Sequence, residues 1–452
     1  MSLDPVNEPA PEPEPGEAVV GPAALTQPTA HVALVALGCR VSRADLDGLA
    51  SSLPPGARLA RAGRPADVVV VGTCTITADA DSASRQAIRR AAREHPGARI
   101  VAAGCYAERC PDELRALPGV AAVVGARSHR GLAAVLARVA AGASSAAPDE
   151  GPAWDLGPAA APDHHARPVL KVQDGCDERC TYCAVPLARG PARSMPFDAA
   201  VARARALRAR HAELVLTGVH LGAYGRDLRP ARSLEELVRA VVAAPGGRVR
   251  LSSVEPLEVP LALLREAGTR ERLCPHLHLP LQSGAAPVLR AMGRPYGPEE
   301  YAAAVEAVAA LVPDGCLGAD VVAGFPGETD ADHRATVALV ERLPLAYLHV
   351  FPFSARPGTK AAALSPAVPG EVRRARAAEL RALSARRWGE HLRRQIGRTL
   401  EVVVERVADG VARGTSAGFA PVRWPAGEAE RGALERVRIT HSDEHGCSGV
   451  IA

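Results

Sequence analysis

A chain of 452 residues is too long for one hydrophobic core and long enough for two or three domains. Its 54 Lys and Arg against 50 Asp and Glu leave a formal charge of +4, so any basic surface for nucleic acid must be local. The longest apolar runs, such as ADVVVVG, are too short to cross a bilayer, which argues against a membrane partner.

Residues 1–30, MSLDPVNEPAPEPEPGEAVVGPAALTQPTA, are Pro- and Glu-rich, with no basic start and no long apolar core. They read as a disordered tail and not as a secretory signal. With no export route visible, the ten cysteines are expected in a reducing, cytoplasmic setting, where thiols act as ligands or nucleophiles more often than as disulfides.

From His31 a pattern repeats. HVALVALGC, ADVVVVGTC and ARIVAAGC are short apolar runs, each closing on a cysteine, and VAAVVGA follows as a fourth strand-like run. Helical segments are expected at Arg43 to Ser52, Asp79 to Glu94, Pro111 to Leu117 and onward to about Ala140. Alternation of this kind implies an open parallel α/β sheet over 31–143. Gly, Pro, Ser and Ala between Ala141 and Pro162 read as a linker, centred on 144–162.

A second alternating series, 163–393, offers RPVLKVQ, ELVLTGV, RVRLSSV, HLHLPLQ, GADVVAGF and LAYLHVF as strands. Helices are expected between them, for example Asp198 to His211, Leu234 to Ala243 and Glu299 to Leu311. Six such units suggest a partial (β/α)6 barrel with its chemistry at the carboxyl ends of the strands. The arginine-rich segment Glu371 to Arg398 has nine arginines against three glutamates, a local stripe for phosphate contact or a solvated connecting helix. Over 394–452, TLEVVVERV, GVARGTSAGFAPVRW and ERVRIT alternate like strands of a small antiparallel β domain.

Directly after the first barrel strand, GCDERCTYCAVP places Cys176, Cys180 and Cys183 within eight residues. Thiolates at such intervals converge on a soft metal centre, as in four-iron clusters. Structural zinc would want a fourth Cys or His, and the next thirty residues offer only His211, on a predicted helix. Cys39, Cys74 and Cys105 end three successive strands, and parallel strands deliver their carboxyl ends to one edge. Those three thiols form a second candidate cluster site. The bland alternatives are zinc or chance thiols, and the burial preference of cysteine after a strand. Cys110, Cys274, Cys316 and Cys447 lack such placement and read as ordinary buried or free thiols.

The C-x-x-x-C-x-x-C spacing, with Tyr182 before the last cysteine, resembles the radical S-adenosylmethionine enzymes. Two three-thiol sites in this order resemble the methylthiotransferase branch, and most of all the threonylcarbamoyladenosine tRNA enzymes. The resemblance is carried by LGCRVS, GTCTIT, GCYAE, VQDGCDERCTYCAVPLARG, LTGVHLGAYGRDL, RLSSVEP, HLHLPLQSG, RPYGPEEY, DVVAGFPGET and HVFPFSARPGT. Ser42 and Gly72 stand where relatives commonly have asparagine, and Leu187 where an aromatic is usual.

The resemblance implies two 4Fe-4S clusters and S-adenosylmethionine. The metal ligands would be Cys39, Cys74, Cys105, Cys176, Cys180 and Cys183, and each cluster would keep one open iron. Cofactor contacts would come from Tyr182, Thr217, Gly218, Ser252, Ser253, Glu255, Gln282, Ser283 and the glycines Gly324 to Gly327, with Glu255 foremost. Arg189, Arg193 and Arg226 are candidates for phosphates. The C-terminal domain is similar to the OB-like TRAM module, where Arg413, Arg423, Phe419 and Trp424 are candidates for RNA contact. Implied partners are tRNA, a reductant such as a flavodoxin or ferredoxin, and a sulfur donor. The implied reaction replaces C2–H of N6-threonylcarbamoyladenosine, 3′ of the anticodon, with C2–S–CH3. Other substrates for the same chemistry are isopentenyladenosine in tRNA or an aspartate of a ribosomal protein. A reading of another class is a non-catalytic iron–sulfur protein that binds RNA.

Overall fold

The computed structural model describes residues 30–142, apart from 52, 55 and 62, and residues 165–452. The expected tail, but for Ala30, and the expected linker at 144–162 lie outside the described residues. Among the described residues no helix is long and apolar enough to cross a membrane.

The first compact unit comprises the described residues up to 142 together with Leu187–Gly190. Its strands are β1 (Ala30–Ala36), β2 (Ala57–Leu59), β3 (Val68–Thr73), β4 (Arg99–Gly104) and β5 (Val120–Gly125). They form one parallel sheet in the order β2-β1-β3-β4-β5. Strand β3, VVVVGT, is buried throughout, as a central parallel strand covered on both faces must be. Val68 and Val70 pack with Leu46, Leu49, Leu132 and Val135 on one face. Val69 and Val71 pack with Ile88, Ala91, Tyr106 and Leu114 on the other. The helix Ala78–Glu94 starts where Thr77 Oγ1 accepts from the Ala80 amide at 3.1 Å, with Asp79 and Asp81 in its first turn. Strand β2 and the helix Cys105–Arg109, absent from the sequence expectation, are too short to show a period.

The second unit comprises residues 165–186 and 191–452. Its first strands are β6 (Val169–Asp174), β7 (Arg193–Ser194), β8 (Glu213–Gly218), β9 (Arg248–Leu251), β10 (His276–His278), β11 (Cys316–Ala323) and β12 (Tyr347–Pro352). Six of them run parallel as β6-β8-β9 and β10-β11-β12, joined by the isolated bridges Val249↔Leu273 and Ser253↔His278. No pairing joins β12 back to β6 among the described residues, so this is the expected partial barrel. The short β7 adds antiparallel to β6. Expected strand HLHLPLQ stops at His278 because Pro280 has no amide to give a ladder.

Strands β13 (Thr399–Ala408), β14 (Val411–Ser416), β15 (Pro421–Pro425), β16 (Leu434–Asp443) and β17 (Gly446–Ile451) close a small barrel. The expectation of a purely antiparallel module is corrected at one seam, where β15 and β17 pair in parallel through Val422↔Cys447 and Arg423↔Ser448. The long helix Gly370–Arg393 contributes Leu392 and Trp388 to this barrel's core, beside Trp424, Val402 and Ile439. The sequence boundary at 393/394 therefore runs through a shared core.

Candidate functional site

In the first unit, Cys39, Cys74 and Cys105 follow β1, β3 and β4, three adjacent strands whose carboxyl ends share one sheet edge. Cys74 lies near enough to feel the charge of Cys39, and Cys105 that of both other thiols. Two glycines make the approach possible. Gly38 has φ +99°, and a Cβ there would lie 3.0 Å from Cys74 Cβ. Gly104 has φ +117°, and a Cβ would lie 2.6 Å from the Thr73 carbonyl oxygen.

Arg189, expected at phosphate, belongs here instead. It is 2% exposed, and its Nη2 lies 3.0 Å from Asp45 Oδ2 and 3.4 Å from Ser42 Oγ. The same guanidinium hydrogen-bonds the Cys105 thiol. Desolvation pushes Cys105 up to about 12 against the pull of Arg189. Ser42, one of the departures, reaches 3.7 Å from Cys39 Sγ, so its hydroxyl stands between a candidate ligand and the arginine. At Gly72, the other departure, a Cβ would lie 2.7 Å from Leu46 Cδ1. Leu187 offers its carbonyl oxygen to Arg127 Nη2 at 2.8 Å.

In the second unit, Cys176, Cys180 and Cys183 lie in the loop after β6, and Cys183 feels the charge of the other two. Desolvation pushes Cys183 up to about 12. Gln173 organises the loop base, donating to the Gly175 carbonyl at 2.8 Å and accepting from the His220 amide at 2.7 Å. Gly218 leaves room for it, since a Cβ there would lie 2.9 Å from Gln173 Cβ. Two polar residues not singled out in the sequence line these thiols. Arg294 Nη1 donates to Cys180 Sγ at 3.4 Å and pairs with Glu255. His220 Nδ1 lies 3.9 Å from Cys176 Sγ, and its Nε2 lies 2.7 Å from Glu258. Burial opposes a charge on His220, yet hydrogen bonds to Cys176 and Glu258 raise it to about 10. Arg226, expected at phosphate, pairs with Glu258 at 2.5 Å.

The other expected contacts divide. Tyr182 packs on a cluster containing Met292, Phe325 and Phe353, which anchors the thiol loop to the barrel. Thr217 is buried near the end of β8, and Ser253 is exposed after β9. The buried Ser252 hydroxyl has no hydrogen-bond partner among the described residues. Burial raises the Glu255 carboxyl despite Arg294. Gln282 is held at φ +68° by two hydrogen bonds to β11, while Ser283 meets Thr336 Oγ1 at 3.3 Å. The Gly324 amide donates to Glu328, so Ser283 and the GFPG glycines serve the turns. His211 sits at the amino edge of β8, away from the thiols. Cys274, Cys316 and Cys447 are buried, and Cys110 is partly so.

Each trio supplies three thiols, the donor type that holds an iron–sulfur cluster. Among the described residues, the one group of three donors lying within 4.8 Å of each other is His278, Asp320 and His349. Zinc at 2.3 Å from each sulfur would draw thiols to about 3.8 Å apart.

The RNA expectations are partly overturned. Trp424 is 2% exposed in the small barrel's core. Phe419 stacks on His276 with centroids 4.1 Å apart and lies over Arg250, so neither ring is free for a base. Much of the basic helix is spent internally: Arg376 on Glu328 and Asp330, Arg386 on Glu341, and Arg373 and Arg381 on carbonyls. Arg413 and Arg423 face outward as register neighbours, Arg423 pairing with Asp443.

Comparison with known proteins agrees with both halves. Residues 170–340 match the radical SAM superfamily and residues 31–125 the uncharacterized protein family UPF0004. The threonylcarbamoyladenosine tRNA methylthiotransferase MtaB of Aquifex aeolicus is 35% identical, covering 82% of this chain and 92% of the relative. A tRNA-2-methylthio-N(6)-dimethylallyladenosine synthase of Novosphingobium aromaticivorans is 36% identical, covering 92% and 96%. In fold, the chain is similar to the radical S-adenosylmethionine methyltransferase TsrM of Kitasatospora setae, with a TM-score of 0.55 and 15% identity over 87% of this chain and 82% of that one. Shared sequence over most of the length, with the thiol-bearing barrel and sheet described above, gives one conclusion: the chain is an enzyme of the radical S-adenosylmethionine methylthiotransferase family.

Proposed function

We propose that the protein acts in the cytoplasm as a tRNA methylthiotransferase, converting N6-threonylcarbamoyladenosine 3′ of the anticodon to its 2-methylthio derivative. The observation that carries this reading is the pair of three-thiol sites at strand carboxyl ends, with His220 of TGVHLGAYG set beside Cys176. That stretch is among the marks shared with the threonylcarbamoyladenosine branch.

Cys176, Cys180 and Cys183 would hold one cluster with S-adenosylmethionine, and Cys39, Cys74 and Cys105 another; bound there, these groups supply a carbon-centred radical to remove the C2 hydrogen and the sulfur that replaces it. Arg294 donates to a ligand sulfur, and such donors tune a cluster's potential. Glu255 orients Arg294 and, with Thr217, Gly218, Ser252 and Ser253, places polar groups at the barrel mouth for the cofactor. Arg189 supplies the matching positive charge at the other trio. A flavodoxin- or ferredoxin-type reductant and a sulfur donor complete the proposal.

The test is nucleoside mass spectrometry of tRNA from a strain lacking the gene. Loss of the 2-methylthio derivative with accumulation of threonylcarbamoyladenosine is expected. Loss of the isopentenyl derivative alone, or a mass change only in a ribosomal protein, would redirect the substrate. Failure of the reduced protein to form methionine and 5′-deoxyadenosine would remove the enzyme reading.

A further inference from the structure

Beyond the thiols, the barrel interior holds a second set of donors on three neighbouring strands. His278 ends β10, Asp320 lies in β11 and His349 in β12, with Asp320 and His349 register partners. Asp320 Oδ1 lies 3.0 Å from His278 Nε2 and 3.4 Å from His349 Nδ1. The His278 and His349 rings have centroids 4.8 Å apart. Two imidazoles at a tetrahedral angle about an ion 2.1 Å from each nitrogen would have centroids about 5.3 Å apart, so the rings need open by only about half an ångström.

Direction matters as much as distance. His278 is 3% exposed, and among the described residues its Nε2 has no well-aligned hydrogen-bond partner, the Asp320 carboxylate 3.0 Å away lying off the line of a good one. The two atoms are near without pointing at each other, as ligand atoms are when both face a third point. The other ring nitrogen is already fixed: His278 Nδ1 lies 3.1 Å from the Tyr347 hydroxyl, which also meets His276 Nε2 at 2.9 Å. Gly318 makes this possible, because any Cβ there would collide with the Tyr347 ring. A ligand histidine held through its second nitrogen is the usual outer support of a metal site. The group opens to solvent on one side only, with side-chain exposures of 4% for His278, 25% for Asp320 and 43% for His349.

We propose that His278, Asp320 and His349 form a binding site for one divalent first-row transition-metal ion, separate from both thiol trios. Two imidazoles and one carboxylate suit zinc or ferrous iron and leave positions for water or an anionic oxygen on the His349 side. Of these ions, zinc is distinguishable from cluster iron by elemental analysis.

Holoenzyme with its clusters assembled would be dialysed anaerobically to equilibrium against chelator-buffered Zn2+, then analysed for zinc, iron and sulfide. The wild type is expected to retain one zinc per chain beyond its iron. Asp320→Asn and His349→Ala should each weaken zinc retention at least tenfold with iron and sulfide unchanged. Should Asp320→Asn lose iron or its melting transition, the more exposed His349→Ala decides alone. A wild type that retains no zinc, or variants that retain it as well as the wild type, would overturn the site, and the triad would then be a histidine–aspartate ion pair.

Discussion

Arg189 shows how much a single residue can carry. Six residues after Cys183 in sequence, it packs in the first unit as the partner of Asp45, both almost wholly buried. Removing one member of such a pair strands a charge away from water, so Arg189→Ala should cost about 3–5 kcal/mol in urea unfolding. An unchanged urea midpoint would refute the pair's role. Gly72 makes the opposite demand. Gly72→Asn should destabilise by about 1–3 kcal/mol because its Cβ meets Leu46, and Leu46→Ala in the same chain should recover part of that loss. Cys74→Ala should lower iron from about eight to about four per chain and abolish sulfur transfer, while S-adenosylmethionine cleavage persists. Loss of both activities together would mean the thiol trios do not act separately.

At the scale of elements, the amino end of β8 is an electrostatic knot. Glu213, fully buried, meets Arg250 at 2.6 Å, Arg248 at 2.8 Å and Arg167 at 3.4 Å. Burial alone would raise its carboxyl; Arg250 above all, with Arg167 and Arg248, holds it at about 2. A depressed acid stabilises the fold fully above its unfolded value near 4.3, and this contribution is lost as pH falls through about 2. Stability should therefore fall between about pH 5 and 2, by about 3 kcal/mol for this group. Glu213→Gln should be less stable at pH 7 and show a flatter acid limb in thermal unfolding against pH. An acid limb as steep as the wild type's would show that other groups govern it.

At the scale of the whole chain, the C-terminal barrel is not an independent appendage. Arg250 Nη2 donates to the Ser416 carbonyl at 3.0 Å, Phe419 lies on His276 and near Tyr347, and Trp388 and Leu392 sit in the small barrel's core. Truncation before Thr399 uncovers those apolar groups, so the shortened protein should aggregate or melt well below the full chain. A soluble truncated form melting at the full-length temperature would contradict this. For RNA, Arg413 and Arg423 remain the outward pair. Replacing both should weaken tRNA binding and flatten its salt dependence, whereas Phe419→Ala should act first on stability.

The sequence by itself determined the alternating sheet and barrel, because buried parallel strands require short valine-rich runs at helical intervals. It also determined the six thiols, whose spacing after strands is local. The LTGVHLGAYGRDL and VQDGCDERCTYCAVPLARG stretches were legible as motifs without a hint of what their polar side chains touch. Tertiary structure alone decided that Arg189 serves Cys105 and Asp45 and not a phosphate, that His220 and Arg294 flank the barrel thiols, and that Phe419 and Trp424 are packing residues. Only the strand register brought His278, Asp320 and His349 together. Backbone periodicity is written in neighbouring residues, but a charge's partner and a ring's burial depend on chain segments far away in sequence.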